Sequence, residues 1–122
     1  MKFNGVLVKE SLQDERVLEG LAVTRTEKWD VQHAAEFQPR AWTAIYFEGD
    51  AAQADAVAER LSRALKPCWY ADFATEGEQG AVYVVFPNRV FKYARGDRRK
   101  RSEAVKYGEW LGIPKAQLDW GE

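Results

Sequence analysis

The sequence holds one cysteine, one histidine and one methionine in 122 residues. With Cys68 alone, no intrachain disulfide can form and no thiolate cluster can hold a metal, which fits a reducing, cytoplasmic setting. His33 and Cys68 are the only side chains suited to nucleophile or shuttle chemistry near neutral pH. A Cys-His pair would also need an orienting group and an oxyanion pocket, and no motif supplies either. Cys68, directly after Pro67, reads instead as a small packed residue at a strand start. His33 and Glu36 have one-turn spacing, but two ligands do not make a metal site. No metal and no cofactor are therefore expected.

Long apolar runs are also missing. None approaches a membrane span, and the apolar stretch after Met1 is too short for a secretory signal. The chain has no glycine-rich phosphate loop, nucleophile elbow or dinucleotide fingerprint. It has no internal repeat, no low-complexity tract and no linker long enough to divide it. One globular domain over residues 1–122 is the expectation.

What the chain does have is apolar bulk and an uneven charge. Hydrophobic residues make up 46% and aromatic residues 13%, enough for a real core. The net charge of −1 conceals a basic strip. Residues 88–101 hold seven cations (Arg89, Lys92, Arg95, Arg98, Arg99, Lys100 and Arg101) and one acid, Asp97, for a net +6; the remainder of the chain therefore carries −7. Such asymmetry points to an anionic ligand or an acidic protein surface as partner.

Periodicity gives the elements. Residues 2–9 read as a first strand, and Ser11 with Asp14 as the capping box of a short helix ending at Gly20. Leu21, Val23, Trp29 and Val31 share one face of a second strand. Residues 32–40 form a connection with a helical turn, and 41–48 a third strand rich in residues that suit a pleated surface. Asp50 and Gln53 cap a helix whose Ala54, Val57, Ala58, Leu61 and Leu65 form one apolar stripe. Residues 68–75 and 81–86 follow as strands. Pro87-Asn88 makes a two-residue turn that sets Phe86 opposite Arg89.

That register gathers Val82, Val84, Phe86, Phe91 and Tyr93 on one face, read as core, and leaves Tyr83 beside Lys92 on the other. A last helix follows Gly96-Asp97, burying Ala104, Tyr107, Gly108 and Leu111. The fold class is α+β: a mostly antiparallel sheet of five to six strands with two to three helices on one face. Strand order is not derivable, although the β-α-β reading of residues 42–75 makes a ferredoxin-like arrangement one candidate.

Candidate binding residues follow from the strip. Arg98, Arg99, Lys100 and Arg101 crowd the first turn of the last helix, where the positive end of the helix dipole opposes them and a bound anion would relieve the conflict. Arg95 and Lys92 extend the patch, and Tyr83 is the one exposed stacking platform. The segment lacks the glycine-aromatic pattern of an RNA recognition motif, so nucleic acid would be bound only weakly and through phosphates. Among five tryptophans, Trp29, Trp42 and Trp69 read as sheet packing; Trp110 and Trp120 are the expected surface anchors. Asp14, Glu15, Glu19, Glu76 and Glu78 sit on helix or turn surfaces. The leading expectation is a binding module and not an enzyme. The rival is a small hydrolase or transferase with an aromatic-lined cleft, in which arginines hold an anionic substrate and a carboxylate acts as base.

Overall fold

A computed structural model describes residues 1–78 and 80–122. Six strands, β1 (Lys2–Val8), β2 (Ala22–Asp30), β3 (Ala41–Asp50), β4 (Ala71–Thr75), β5 (Ala81–Phe86) and β6 (Arg89–Ala94), form one sheet in the order β2-β3-β1-β4-β5-β6. Every neighbouring pair is antiparallel. Two α-helices, α1 (Ala54–Ala64) and α2 (Arg98–Trp110), complete the α+β architecture with short 3-10 turns. No described helix is long and apolar enough to cross a membrane.

The chain leaves β3, forms α1 and returns as β4 on the far side of β1, so β1 splits a β-α-β unit. The order departs from a ferredoxin-like sheet, because β4, β5 and β6 continue as an antiparallel meander and α2 follows them. At the turn, Phe86 faces Arg89 and Tyr83 faces Lys92. Asn88 takes the left-handed conformation (φ 61°) that the second turn position requires. Its N–H donates to Ser62 O (3.0 Å), fastening the hairpin tip to the end of α1.

The helices are not gathered on one face. α1 lays Ala54, Val57, Ala58 and Leu61 against Phe3, Leu7, Phe47, Phe73, Tyr83 and Val85. On the opposite face, Ala104 of α2 and Ile113, Leu118 and Trp120 of the following segment cover Val82, Val84, Phe86 and Tyr93. Because side chains alternate along β5, Tyr83 and Val85 serve one core and Val82 and Val84 the other. Burial of both faces explains the unbroken apolar run of that strand.

Three other expectations give way to tertiary contacts. Ser11 does not cap a helix; it is buried, and its hydroxyl donates to Val8 O. Ser11, the last residue of a 3-10 turn Lys9–Ser11, accepts at its O from Lys66 N (2.8 Å), and Gln13 N donates to Ala64 O (2.8 Å), which pairs Leu12 with Leu65 at the end of α1. The helical turn that follows is a 3-10 segment, Glu15–Gly20, capped by Asp14. Strand β4 begins at Ala71 and not at Cys68, because Cys68 is turned to φ 66°. The 32–40 connection holds turns without a helix, closed on Gln38, whose Oε1 accepts from Ala35 N (2.9 Å).

Candidate functional site: a tryptophan cleft

The basic strip is largely committed within the fold. Arg95 donates to the carbonyls of Thr75, Gly77 and Glu122 (3.0, 2.6 and 2.8 Å). Arg101 pairs with the Glu122 carboxylate (2.9 Å), donates to Trp120 O (2.7 Å) and lies 4.7 Å from the Trp120 ring centre. Lys92 pairs with Asp55 (3.1 Å), and Arg89 stacks over Phe91 and Tyr107. Asp97 caps α2 through Lys100 N (3.1 Å). Of the cations expected to receive an anion, Arg98, Arg99 and the Lys100 side chain remain turned to solvent.

Glu122 ties this region together. It accepts from the Tyr93 hydroxyl (2.7 Å), Arg101 and Gly96 N (3.2 Å). Partial burial works the other way, but these donors hold its carboxyl below the ordinary glutamate value.

Two expected surface aromatics are not on the surface. Tyr83 is buried, stacked on Phe73 at 4.6 Å with its hydroxyl donating to Asp55 (2.6 Å). Trp120 is buried against Tyr70 and donates from its indole nitrogen to the Tyr93 hydroxyl (2.8 Å). Tyr83 lies in the core under α1 and Trp120 in the core on the opposite face, so covering both sides of the sheet buries both. Trp110 is 77% exposed.

An aromatic-lined concavity lies on the α2 side of the sheet, where the helix stops short. α2 and the 113–120 segment cover only β4, β5 and β6, so the β1-β3-β2 half of that face is open. Cross-strand pairs put Val6 beside Asp72, and Trp42 beside Trp29, on this face. Residues 29–33 and 116–121 rise as two walls, joined by Gln117, whose side-chain nitrogen donates to His33 O (2.7 Å) and Gln38 Oε1 (2.8 Å). The result is a cleft of about 460 Å³ lined by Trp29, Trp42, Trp69, Tyr70, Trp120 and Asp72, among others.

Its aromatic walls are held rigidly. Trp42 and Trp69 meet at 5.0 Å between ring centres, and Tyr70 and Trp120 at 5.6 Å. Trp42 donates to Pro39 O (2.8 Å), Trp29 to Glu27 (3.3 Å), and the Tyr70 hydroxyl to Gln117 O. The polar atoms of Trp29, Trp42 and Tyr70 are thereby occupied, which leaves ring surface for a ligand.

Asp72 is the exception in this apolar surround. No described residue donates a hydrogen bond to its carboxyl, and its oxygens open on the cleft. Burial, with the nearby charge of Asp119, pushes its carboxyl up to about 7, against a smaller opposing pull from Arg101. The same burial, with Asp72 and Asp119, raises the Tyr70 phenol well above its ordinary value. The charged lining consists of Asp30, Asp72 and Asp119, with His33 at the rim; no lysine or arginine lines the cleft.

Trp29, Trp42 and Trp69 therefore pack on the sheet, as expected, and also form a binding wall; a bulge between Val23 and Arg25 sets Val23 on the face opposite Trp29. Cys68 does not line the cleft; its thiol donates to Leu111 O (3.1 Å). Sequence reasoning did not single out Asp72 or Asp119. The available signal was a carboxylate within Trp69-Tyr70-Ala71-Asp72-Phe73, in a strand with no other charge before Glu76. Among the described residues, no group of three or more His, Cys, Asp or Glu side chains could hold a metal. No protein-family model, curated protein or solved structure matches the chain.

Proposed function

We propose that the protein is a non-enzymatic binding module whose small-molecule ligand seats in the tryptophan cleft over Asp72. The observation that carries this reading is the cleft itself, about 460 Å³ of aromatic-walled space with the part-buried, unpartnered carboxyl of Asp72 at its floor. That volume lies within the range of small-molecule sites, and the mix of apolar wall and few polar groups is their usual make-up. Rings fixed by neighbours and hydrogen bonds present contact area without further ordering entropy on binding. The single cysteine, part-buried and bonded to Leu111 O, accords with a reducing cytoplasmic setting.

The anionic-partner reading draws on charge and on a second concavity beside Gly96 that Arg98 and Arg101 line, but there Arg101 is already paired with Glu122 (2.9 Å). An enzymatic reading has one favourable observation, a carboxyl near 7 in a cleft, which suits a general acid or base. It lacks a nucleophile or electrophilic stabiliser beside it, since Cys68 is elsewhere and His33 stands at the rim.

A neutral aromatic probe, 2-phenylethanol, tests the cleft. Calorimetric titration should be saturable in the native protein and lost in Val6→Phe. Val6 is half-buried on the cleft floor, so the larger ring fills the cleft and not the core. Equal binding to both proteins, with Val6→Phe folded by circular dichroism, would place the probe elsewhere and end this reading.

A further inference from the structure

We infer that the ligand of the cleft is an organic ammonium ion with an aromatic or otherwise apolar body, its N–H groups donating to Asp72 and its charge facing the tryptophan rings. This deepens the reading of the cleft as the binding site and rests on it.

Three observations converge on that chemistry. The lining carries the carboxylates of Asp30, Asp72 and Asp119 and no lysine or arginine, so an anion would meet repulsion without a counter-charge. The chain's cations lie outside the cleft. Arg101, which comes nearest to influencing Asp72, is occupied by Glu122 and Trp120 O.

Next, the walls are built from indole and phenol rings, whose faces attract cations most strongly where water is excluded. Trp42 and Trp69 meet at 5.0 Å on one side, and Tyr70 and Trp120 at 5.6 Å on the other.

Last, Asp72 has unused acceptor capacity. The other part-buried acids all accept hydrogen bonds: Glu10 from Thr43 N (2.7 Å), Asp14 from Arg16 (3.0 Å), Glu27 from the Tyr46 hydroxyl (2.7 Å), Glu48 from Lys2 (2.9 Å) and Asp97 from Lys100 N (3.1 Å). Asp72 accepts from no described residue. A ligand closing over it removes the remaining water, which strands an ionised carboxyl unless the ligand brings a donor and a compensating charge. A neutral ligand can bind only as Asp72 takes up a proton; an ammonium ion binds the carboxylate directly.

Paired isosteric probes decide between these cases. Phenethylamine and 2-phenylethanol share a body and differ in the terminal group, and phenylacetate supplies the opposite charge. At pH 8 the native protein should bind phenethylamine at least about tenfold more tightly than 2-phenylethanol, as a charge-assisted hydrogen bond and a cation–ring contact together imply. Phenylacetate should be weakest. Asp72→Asn should bring phenethylamine to parity with the alcohol, while Asp119→Asn should reduce the preference only in part. On lowering the pH from 8 to 6, affinity for the alcohol should rise and that for the amine should not.

Equal affinities for amine and alcohol in the native protein would overturn the inference while leaving the cleft as a binding site. So would an amine preference that survives Asp72→Asn. Failure of both probes to saturate would overturn the cleft reading and this inference with it.

Discussion

Replacing Asp72 with asparagine should make the protein more stable, and the gain should depend on pH in a way only this carboxyl can produce. In the unfolded chain an aspartate titrates near its ordinary value of 3.8, whereas in the fold burial and Asp119 push the group up to about 7. At about 1.4 kcal/mol per tenfold change in proton affinity, an ionised Asp72 weakens the folded state by at most about 4 kcal/mol. The cleft admits water on one side, so about 1–3 kcal/mol is the expected realised penalty.

The sign follows from which state holds the proton. Below about pH 4 both states are protonated at this position and the penalty is absent. Between about 4 and 7 the unfolded chain releases its proton while the fold retains it, so stability falls as pH rises. Above about 7 the penalty is complete. Glu10, Glu27, Asp55 and Glu122, whose carboxyls are held below their ordinary values, produce the opposite trend, stability lost as pH falls. They are common to both proteins and cancel in the difference.

Urea unfolding of the native protein and Asp72→Asn, followed by far-ultraviolet circular dichroism from pH 4 to 8, measures that difference. The expected curve is near zero at pH 4 and rises to about 1–3 kcal/mol in favour of the variant at pH 8, with an unchanged dependence on urea. A difference that stays flat across the range, or a variant less stable at pH 8, would show that the carboxyl is not desolvated as described.

Two further outcomes test the supports of the cleft and of the basic strip. Leu61→Ala, at a fully buried position between α1 and the sheet, should destabilise by about 2–5 kcal/mol in the same urea assay; a loss below about 0.5 kcal/mol would mean that the side chain does not fill that core. Replacing Arg98 and Arg99 together with alanine should raise the thermal midpoint slightly at low salt, since both oppose the helix dipole and neither has a partner that compensates. The gain should fade toward about 0.5 M sodium chloride, and millimolar phosphate should shift both proteins alike. An excess phosphate shift confined to the native protein would instead restore an anion site at the start of α2.

What the sequence disclosed was local. The Pro87-Asn88 turn sets its own register, so the whole β5-β6 pairing follows from one dipeptide and strand alternation. The stripe on α1 is likewise complete within a dozen residues. Tyr83 and Trp120 are buried because both faces of the sheet are covered, Tyr83 under α1 and Trp120 against Tyr93 on the other side. Strand β5, reading Ala-Val-Tyr-Val-Val-Phe, already carried the mark of burial on both sides.

The cleft needed information that no local window holds. Its floor exists because β1 lies between β3 and β4, which sets Val6 beside Asp72 and brings Trp42 and Trp69 into contact across strand ends distant in sequence. Its far wall comes from residues 116–121, placed by Tyr70, Gln117 and the Arg101–Trp120 contact. An aspartate flanked by aromatic residues is visible in the sequence. Whether it faces water, a partner or an aromatic wall is decided only once strand order assigns that side of the sheet. The contrast in charge has the same origin. Much of the strip that made the chain look like an anion binder fastens the 120–122 segment and the hairpin, while Asp30, Asp72 and Asp119 line the cleft that α2 leaves open.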